Sequence, residues 1–355
     1  MILFKDCRHF KGNIPCVQNK KSLTWCNGCD IYDPITMNIL IIKLGAIGDV
    51  IRTTPILNRL ISKYPAARIY WLTLTPCVLP KDKIDYILNF NAGSIEVVKN
   101  IKFDLLLNLD KSLEACAITN SVQADCKRGY ELQNGIPSCI NNKAHHKYIT
   151  GIFDVYGKNN KKHYVEEIFE ICDIGKFNDE PYVLNNTDKG NNIWNIGKFE
   201  YVIGLNTGCG ERWKTRMWPD EYWIDLAKEL IKLKYEVILL GGEAEDKKNI
   251  SISLLSKAKY FGFNTLSVFI DLIDNCDLIV SQVTLATHVA IGLKKKIVLM
   301  NNIFNPNEFY LYGLGKIIEP NSGCDCYYLQ KCKRERHCMK DISVQKVLQT
   351  IDEVA

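Results

Sequence analysis

The sequence predicts an α/β protein made of two similar parallel-sheet halves with a cleft between them, plus a small cysteine-rich segment at each end. Three observations carry this. Short apolar, β-branched runs alternate with stretches of helical periodicity from about residue 39 to residue 300. Two of those runs end in glycine turns, Gly45-Ala46-Ile47-Gly48 and Asn206-Thr207-Gly208-Cys209-Gly210, and neither is a GxGxxG fingerprint. Eight of the fifteen cysteines crowd into the two chain ends, outside the alternating region.

The first unit opens with residues 39–44, a run suited to a strand buried on both faces. After Asp49, Val50, Ile51, Ile56, Leu57, Leu60 and Ile61 recur at helical spacing. Strand, glycine turn and helix together open an open α/β sheet, whose ligands sit at the carboxyl ends of the strands. Asp49 therefore stands at a ligand edge, where a carboxylate serves either as a helix cap or as a base. Residues 68–73 and 103–109 read as further strands, and 127–150, with His145 and His146, as an exposed basic loop. Residues 185–195, rich in Asn and Gly, read as the interdomain linker.

The second half begins with a strand at 201–205 and its own glycine turn. Arg212, Lys214 and Arg216 follow, a compact cationic group matched to a phosphate or, more plainly, a solvated basic loop. Pro219, Asp220 and Glu221 mark a helix start. Residues 236–240, 277–280 and 296–300 are strands, and His288 falls in the first turn of a helix that follows Thr284. Two such halves suggest facing Rossmann-like domains. The expected organisation is a cysteine module at 1–36, domains at 37–190 and 191–322, and a cysteine tail with a closing helix at 323–355.

Size and charge agree. A chain of 355 residues with 47% hydrophobic content fits two medium domains. The net charge of +5 permits an anionic substrate or contact with a membrane surface without calling for nucleic acid. Lys5, Asp6, Arg8 and His9 interrupt what would be the apolar core of a signal peptide, and no apolar run is long enough to span a bilayer. A soluble, cytoplasmic protein is expected. In that compartment clustered cysteines point to metal. Cys7, Cys16, Cys26 and Cys29 in front and Cys324, Cys326, Cys332 and Cys338 behind are the expected ligands of a structural zinc or iron, with a disulfide pair or unrelated thiols as the alternative at the front. The other seven cysteines read as small buried hydrophobes.

Four stretches in order resemble the heptosyltransferase family of glycosyltransferases: residues 41–50, residues 214–219 with Trp223, Gly241-Gly242 with Glu245, and residues 284–290. The resemblance implies a GT-B architecture with the acceptor on the N-terminal half and a nucleotide-diphosphate sugar on the C-terminal half. It implies Asp49 as general base, and Arg216, or Lys214 near it, steadying the departing diphosphate. It places Glu245 on the ribose and Thr284, Leu285 and His288 at the phosphates, with Gly45, Gly48, Thr207 and Gly208 in the donor turns. One departure stands out: the family usually carries Asp where this chain has Val283. Valine cannot hydrogen-bond a sugar hydroxyl, so the donor differs from heptose, or Gln282 takes over, or activity is impaired. The tail resembles a cysteine-bearing subgroup, some of whose members bind iron.

The reading is an inverting transfer that needs no cofactor for its chemistry, from a nucleotide-diphosphate sugar (heptose or related) to a glycan, lipopolysaccharide-type or protein acceptor. A peripheral place at the inner membrane face and homo-oligomer contacts stay open. The rivals are a non-catalytic metal- or redox-sensing protein on the same scaffold, and a sugar-nucleotide epimerase.

Overall fold

The computed structural model describes residues 2–186, 189–190, 194–196, 201–210 and 212–355. Of the linker expected at 185–195, residues 187, 188 and 191–193 lie outside the described residues. The chain forms two compact units, one of residues 1–46, 53–148 and 167–180, the other of 47–52, 149–166 and 181–355.

The first unit holds a six-stranded sheet: β1 (Met37–Ile42), β2 (Ala67–Thr73), β3 (Tyr86–Asn89), β4 (Phe103–Asn108), β5 (Ala124–Gln133) and β6 (Ile136–Cys139). Their order is β3-β2-β1-β4-β5-β6, parallel except for the antiparallel β5–β6 hairpin. The second unit holds β7 (Val202–Asn206), β8 (Glu236–Leu240), β9 (Lys259–Tyr260), β10 (Leu278–Gln282), β11 (Lys296–Met300) and β12 (Gly315–Ile318). Their order, β12-β11-β10-β7-β8-β9, repeats the same winding with every pairing parallel. Central strands are fully buried, Ile39 to Ile42 and Leu278 to Val280 among them, because helices cover both faces of such sheets. In each sheet the winding reverses between the first strand and its far neighbour, β1/β4 and β7/β10, which is where open α/β sheets bind ligands.

Several expectations change. β1 ends at Ile42 rather than at Leu44, and Lys43 turns its ammonium to Asp110 at 3.2 Å. The following helix spans Ile47–Thr53, so Asp49 is its third residue and not its cap. The presumed loop 127–150 contains the β5–β6 hairpin and the helix His145–Thr150. There His146 and Lys147 meet the fully buried Glu167 at 3.1 and 2.6 Å, a counter-ion far along the chain that sequence spacing hides. The helix Asp220–Lys232 follows Pro219, and the closing helix Val344–Val354 is capped by Ser343, whose Oγ accepts the Lys346 N–H, both as expected. No helix among the described residues is long and apolar enough to cross a membrane.

Candidate active site

The switch point of the second sheet is polar where the strands end. Asn206 closes β7 and is buried, and its Nδ2 donates to Gly208 O (3.2 Å), Ser281 Oγ (3.0 Å) and Thr284 Oγ1 (3.2 Å). One amide thus ties the glycine turn after β7 to the helix start after β10. Thr284 is the N-cap of the helix Leu285–Gly292: its Oγ1 accepts the Ala286 N–H, and Thr287 Oγ1 accepts the Thr284 N–H. Between turn and helix lies a pocket of about 450 Å³, lined among others by Ile47, Gly208, Cys209, Arg216, Glu245, Thr284 and Leu285. Glu245 folds over the glycines, its Oε2 accepting the Gly242 N–H at 3.0 Å. A methyl at Gly208 would lie 2.3 Å from its carboxyl carbon, so only glycine lets the acid approach the pocket wall here.

Arg216 is the cation of this pocket. It is 8% exposed and its Nε donates to Trp213 O at 3.3 Å. Its two terminal nitrogens donate to the carbonyls of Val283 and Cys209. All three acceptors are neutral, and no carboxylate among the described residues pairs with it. Burial lowers its pKa from the ordinary guanidinium value. A buried cation without a counter-charge is costly unless an anion completes it. Lys214, two residues earlier in the same three-residue 3-10 turn Lys214–Arg216, is exposed.

Asp49 belongs to a second group in the same compact unit. Arg52 is one helical turn on; its Nη2 and Nε lie 2.8 and 3.0 Å from Asp49 Oδ1. The guanidinium also stands 3.6 Å above the Tyr164 ring centre and 4.0 Å from Glu308. Burial opposes its charge, but Asp49, Tyr164 and Glu308 outweigh that and raise the Arg52 pKa. His288 completes the group. Its ring packs against Gly48, where an added methyl would come within 2.6 Å of Cδ2. Burial, then the Arg52 charge, brings His288 down to about 3, so it is a neutral imidazole. Its Nδ1 is buried, with no hydrogen-bond partner among the described residues.

The remaining expected residues fall in mixed places. Gly45 lies in the first unit, donating its N–H to Asp110 at 3.3 Å. Thr207 is fully buried and gives its Oγ1 to Asn249 at 2.5 Å, so it supports the turn without lining the pocket. Gln282 is fully buried too. Oriented by its neighbours, its amide donates to the carbonyls of Gly208 (2.9 Å) and Asn206 (3.1 Å) and accepts the Trp218 N–H (3.1 Å). It is committed to the scaffold, so it does not replace the missing aspartate on a sugar; Val283 itself contributes its carbonyl to Arg216. Sequence reasoning missed Asn206, Ser281 and Arg52. A polar residue closing an apolar strand run, and the Asp49/Arg52 spacing of three, were the available signals.

None of the fifteen cysteines is in a disulfide. Of the scattered seven, Cys77 and Cys126 are exposed, against expectation; burial pushes Cys276 up to about 12. Cys7, Cys16, Cys26 and Cys29 line one largely apolar pocket of about 460 Å³ with His9 at its wall. In the tail, Cys324 and Cys338 have sulfurs 3.7 Å apart, and the Cys326 thiol touches both Cys324 and Cys332. Main-chain N–H groups of Cys326 and Lys333 point at Cys324 Sγ (3.3 Å) and Cys326 Sγ (3.2 Å). The four tail sulfurs form a chain of contacts; among the described residues, no three or more Cys, His, Asp or Glu side chains converge on one point as ready ligands.

Residues 180–318 match the family model described as Glycosyltransferase family 9 (heptosyltransferase). The second half of the chain carries a heptosyltransferase-family domain. That family is one of glycosyltransferases, as the resemblance implied, and its match takes in Arg216, Glu245, Thr284 and His288 but not Asp49. Among solved structures, the glycosyl transferase family 9 protein of Veillonella parvula is 15% identical, with 90% of this chain and 97% of that one covered at a TM-score of 0.65. The E. coli ADP-heptose LPS heptosyltransferase II is 17% identical over 90% and 98% of the two chains, TM-score 0.65. The iron-containing dodecameric glycosyltransferase TibC of enterotoxigenic E. coli is 13% identical over 90% and 78%, TM-score 0.56. At these identities the likeness establishes the fold, GT-B, around the family-9 domain. No curated protein sequence matches the chain.

Proposed function

We propose that the protein is an inverting glycosyltransferase that moves a sugar from a nucleotide-diphosphate carrier to a hydroxyl of a glycan, lipopolysaccharide-type or protein acceptor. The observation that carries this is Arg216: a buried guanidinium facing a pocket, whose hydrogen-bond acceptors among the described residues are neutral carbonyls. A diphosphate supplies the missing negative charge, and Glu245 beside the glycine turn supplies an acceptor for ribose hydroxyls. The N–H groups at the start of the helix Leu285–Gly292 add a further positive end toward the phosphates.

In this reading the acceptor hydroxyl loses its proton to Asp49 as its oxygen bonds to the anomeric carbon. The bond from that carbon to the diphosphate oxygen breaks on the opposite face. The departing charge is met by Arg216, with Lys214 as an exposed neighbour. Arg52, 2.8 Å from Asp49 Oδ1, holds the carboxylate in place from the next helical turn. The neutral His288 backs the turn through Gly48 and adds no competing charge. Heptose as the transferred sugar, in line with the family's name, is the first donor to test, although Val283 brings no polar group to it.

Both cysteine sets are assigned a structural zinc or iron, apart from the chemistry. Thiols in mutual contact with N–H groups turned to their sulfurs suit thiolate ligands in the tail. The protein is placed in the cytoplasm, where such thiols stay reduced.

Thermal unfolding in the presence of ADP, GDP and UDP tests the donor reading. A nucleoside diphosphate at a hundred times its dissociation constant raises stability by about 2.7 kcal/mol. One of the three is expected to do so, and no response to any of them rejects the reading.

A further inference from the structure

The tail at 319–342 has little regular structure, a single 3-10 turn at Cys338–Asp341, yet it is bonded repeatedly to the turn that carries Arg216. Trp213 Nε1 donates to Tyr328 O at 3.2 Å, and Thr215 Oγ1 donates to Leu329 O at 2.9 Å. Asn302, 8% exposed, donates its Nδ2 to Thr215 O at 2.7 Å and stands 3.5 Å from Cys338 Sγ. Trp218, just past the turn, donates Nε1 to Ile342 O at 2.8 Å. Aromatic edges reinforce the bonds: Trp213 meets Tyr328 and Phe304 at 5.5 and 5.6 Å between ring centres.

Locally the segment is a single 3-10 turn, Lys214–Arg216. Its own ladder is two bonds, Arg216 N–H to Trp213 O (3.2 Å) and Met217 N–H to Lys214 O (3.0 Å). The Trp213 carbonyl is also one of the three that fix the Arg216 guanidinium. Whatever positions Trp213 and Thr215 therefore positions the pocket's cation. The tail in turn is folded by its sulfurs, since the turns at Cys324–Cys326 and Cys326–Lys333 close on thiol acceptors.

We infer that the cysteine-bearing tail is a positioning device for the leaving-group turn: its four-cysteine set, acting through Asn302 and the Tyr328 and Leu329 carbonyls, sets where Arg216 presents its charge. Asn302 and Thr215 are positioning residues, acting through Arg216 without touching the donor. The device rests on the donor reading for its consequence, not for its existence.

Hydrogen exchange of the full-length protein, followed by mass spectrometry, separates the two. The variants are Cys332→Ser, which touches neither Asn302 nor the turn, together with Asn302→Ala and Thr215→Val, which cut the tether and leave the cysteines. Each is expected to speed exchange in the peptide over 212–218 by about tenfold or more, while the peptide over β7 keeps its protection and reports an intact fold. Unchanged exchange at 212–218 in all three overturns the proposal. Titration with ADP, GDP and UDP then reads the consequence. Asn302→Ala is expected to weaken the bound nucleotide about tenfold in the wild-type background and hardly at all beside Arg216→Ala, because it acts through that residue. Equal losses in both backgrounds contradict the positioning role. If the wild type binds none of the three nucleotides, the donor reading fails, and the exchange data alone decide the tether.

Discussion

Replacing Arg216 probes the pocket where its physics is plainest. An arginine carries five N–H groups, and three of them are spent on the carbonyls of Trp213, Cys209 and Val283. Two remain for a ligand, enough for a charged fork on phosphate oxygens. A hydrogen bond to a charged group contributes roughly 1.5–3 kcal/mol, so Arg216→Ala is expected to weaken nucleoside diphosphate binding by about 10- to 150-fold. The substitution also leaves the Val283 and Cys209 carbonyls without their donor, while Trp213 O keeps the residue-216 N–H; that costs stability, so calorimetric titration is run beside thermal unfolding to show that the variant is folded. Arg216→Lys keeps the charge but cannot reach three carbonyls and a phosphate at once, so it should bind between the two. A folded Arg216→Ala that binds the nucleotide as tightly as the wild type would show that Arg216 does not contact the diphosphate.

The glycines and the buried histidine give further tests. Gly208→Ala places a methyl within 2.3 Å of the Glu245 carboxyl carbon and should push that acid off the pocket wall. Nucleoside diphosphate affinity is expected to fall about tenfold with little loss of stability, and an unchanged dissociation constant would count against Glu245 as a ribose contact. Gly48→Ala meets the His288 ring at 2.6 Å, and overpacking against a ring this deeply buried costs roughly 1–3 kcal/mol, read as a lower denaturation midpoint. His288 itself predicts a pH dependence. Its pKa is depressed to about 3 in the fold against an ordinary 6.5, so the unfolded chain binds the extra proton first. Stability is therefore fully present above about pH 6.5 and drains away as pH falls toward 3, by up to about 1.4 kcal/mol per unit. His288→Gln should flatten that slope in urea unfolding between pH 6.5 and 4.5; an unaltered slope would show that the imidazole is not held neutral.

Much of the frame was legible because central strands of parallel sheets are apolar throughout. The runs at 236–240 and 296–300 coincide with β8 and β11, and both glycine turns fall at strand ends. Edge strands escaped notice because they are short and half-exposed: β3 has no fully buried residue and β9 is two residues long. The cationic cluster at 212–216 was visible, but burial alone distinguishes Arg216 from Lys214. Asp49 was found at the turn, whereas its entry into the helix at the third position depends on Ile47 starting that helix. The contact of Gly48 with His288, the engagement of Gln282 inside the scaffold and the tethering of Thr215 to the tail all join residues far apart in sequence. No local pattern encodes them.

In the proposed reaction Asp49 deprotonates the incoming hydroxyl while the pocket around Arg216 holds the diphosphate. Nucleoside diphosphate release from ADP-heptose, GDP-mannose and UDP-glucose, followed by phosphorus NMR with a bacterial surface-glycan extract as acceptor, tests it most directly when run on the wild type and Asp49→Asn. The wild type should turn over one of these donors. Asp49→Asn should be slower by about 10²–10⁴-fold with the same affinity for the nucleotide product. Matching rates in the two proteins would contradict that role for Asp49.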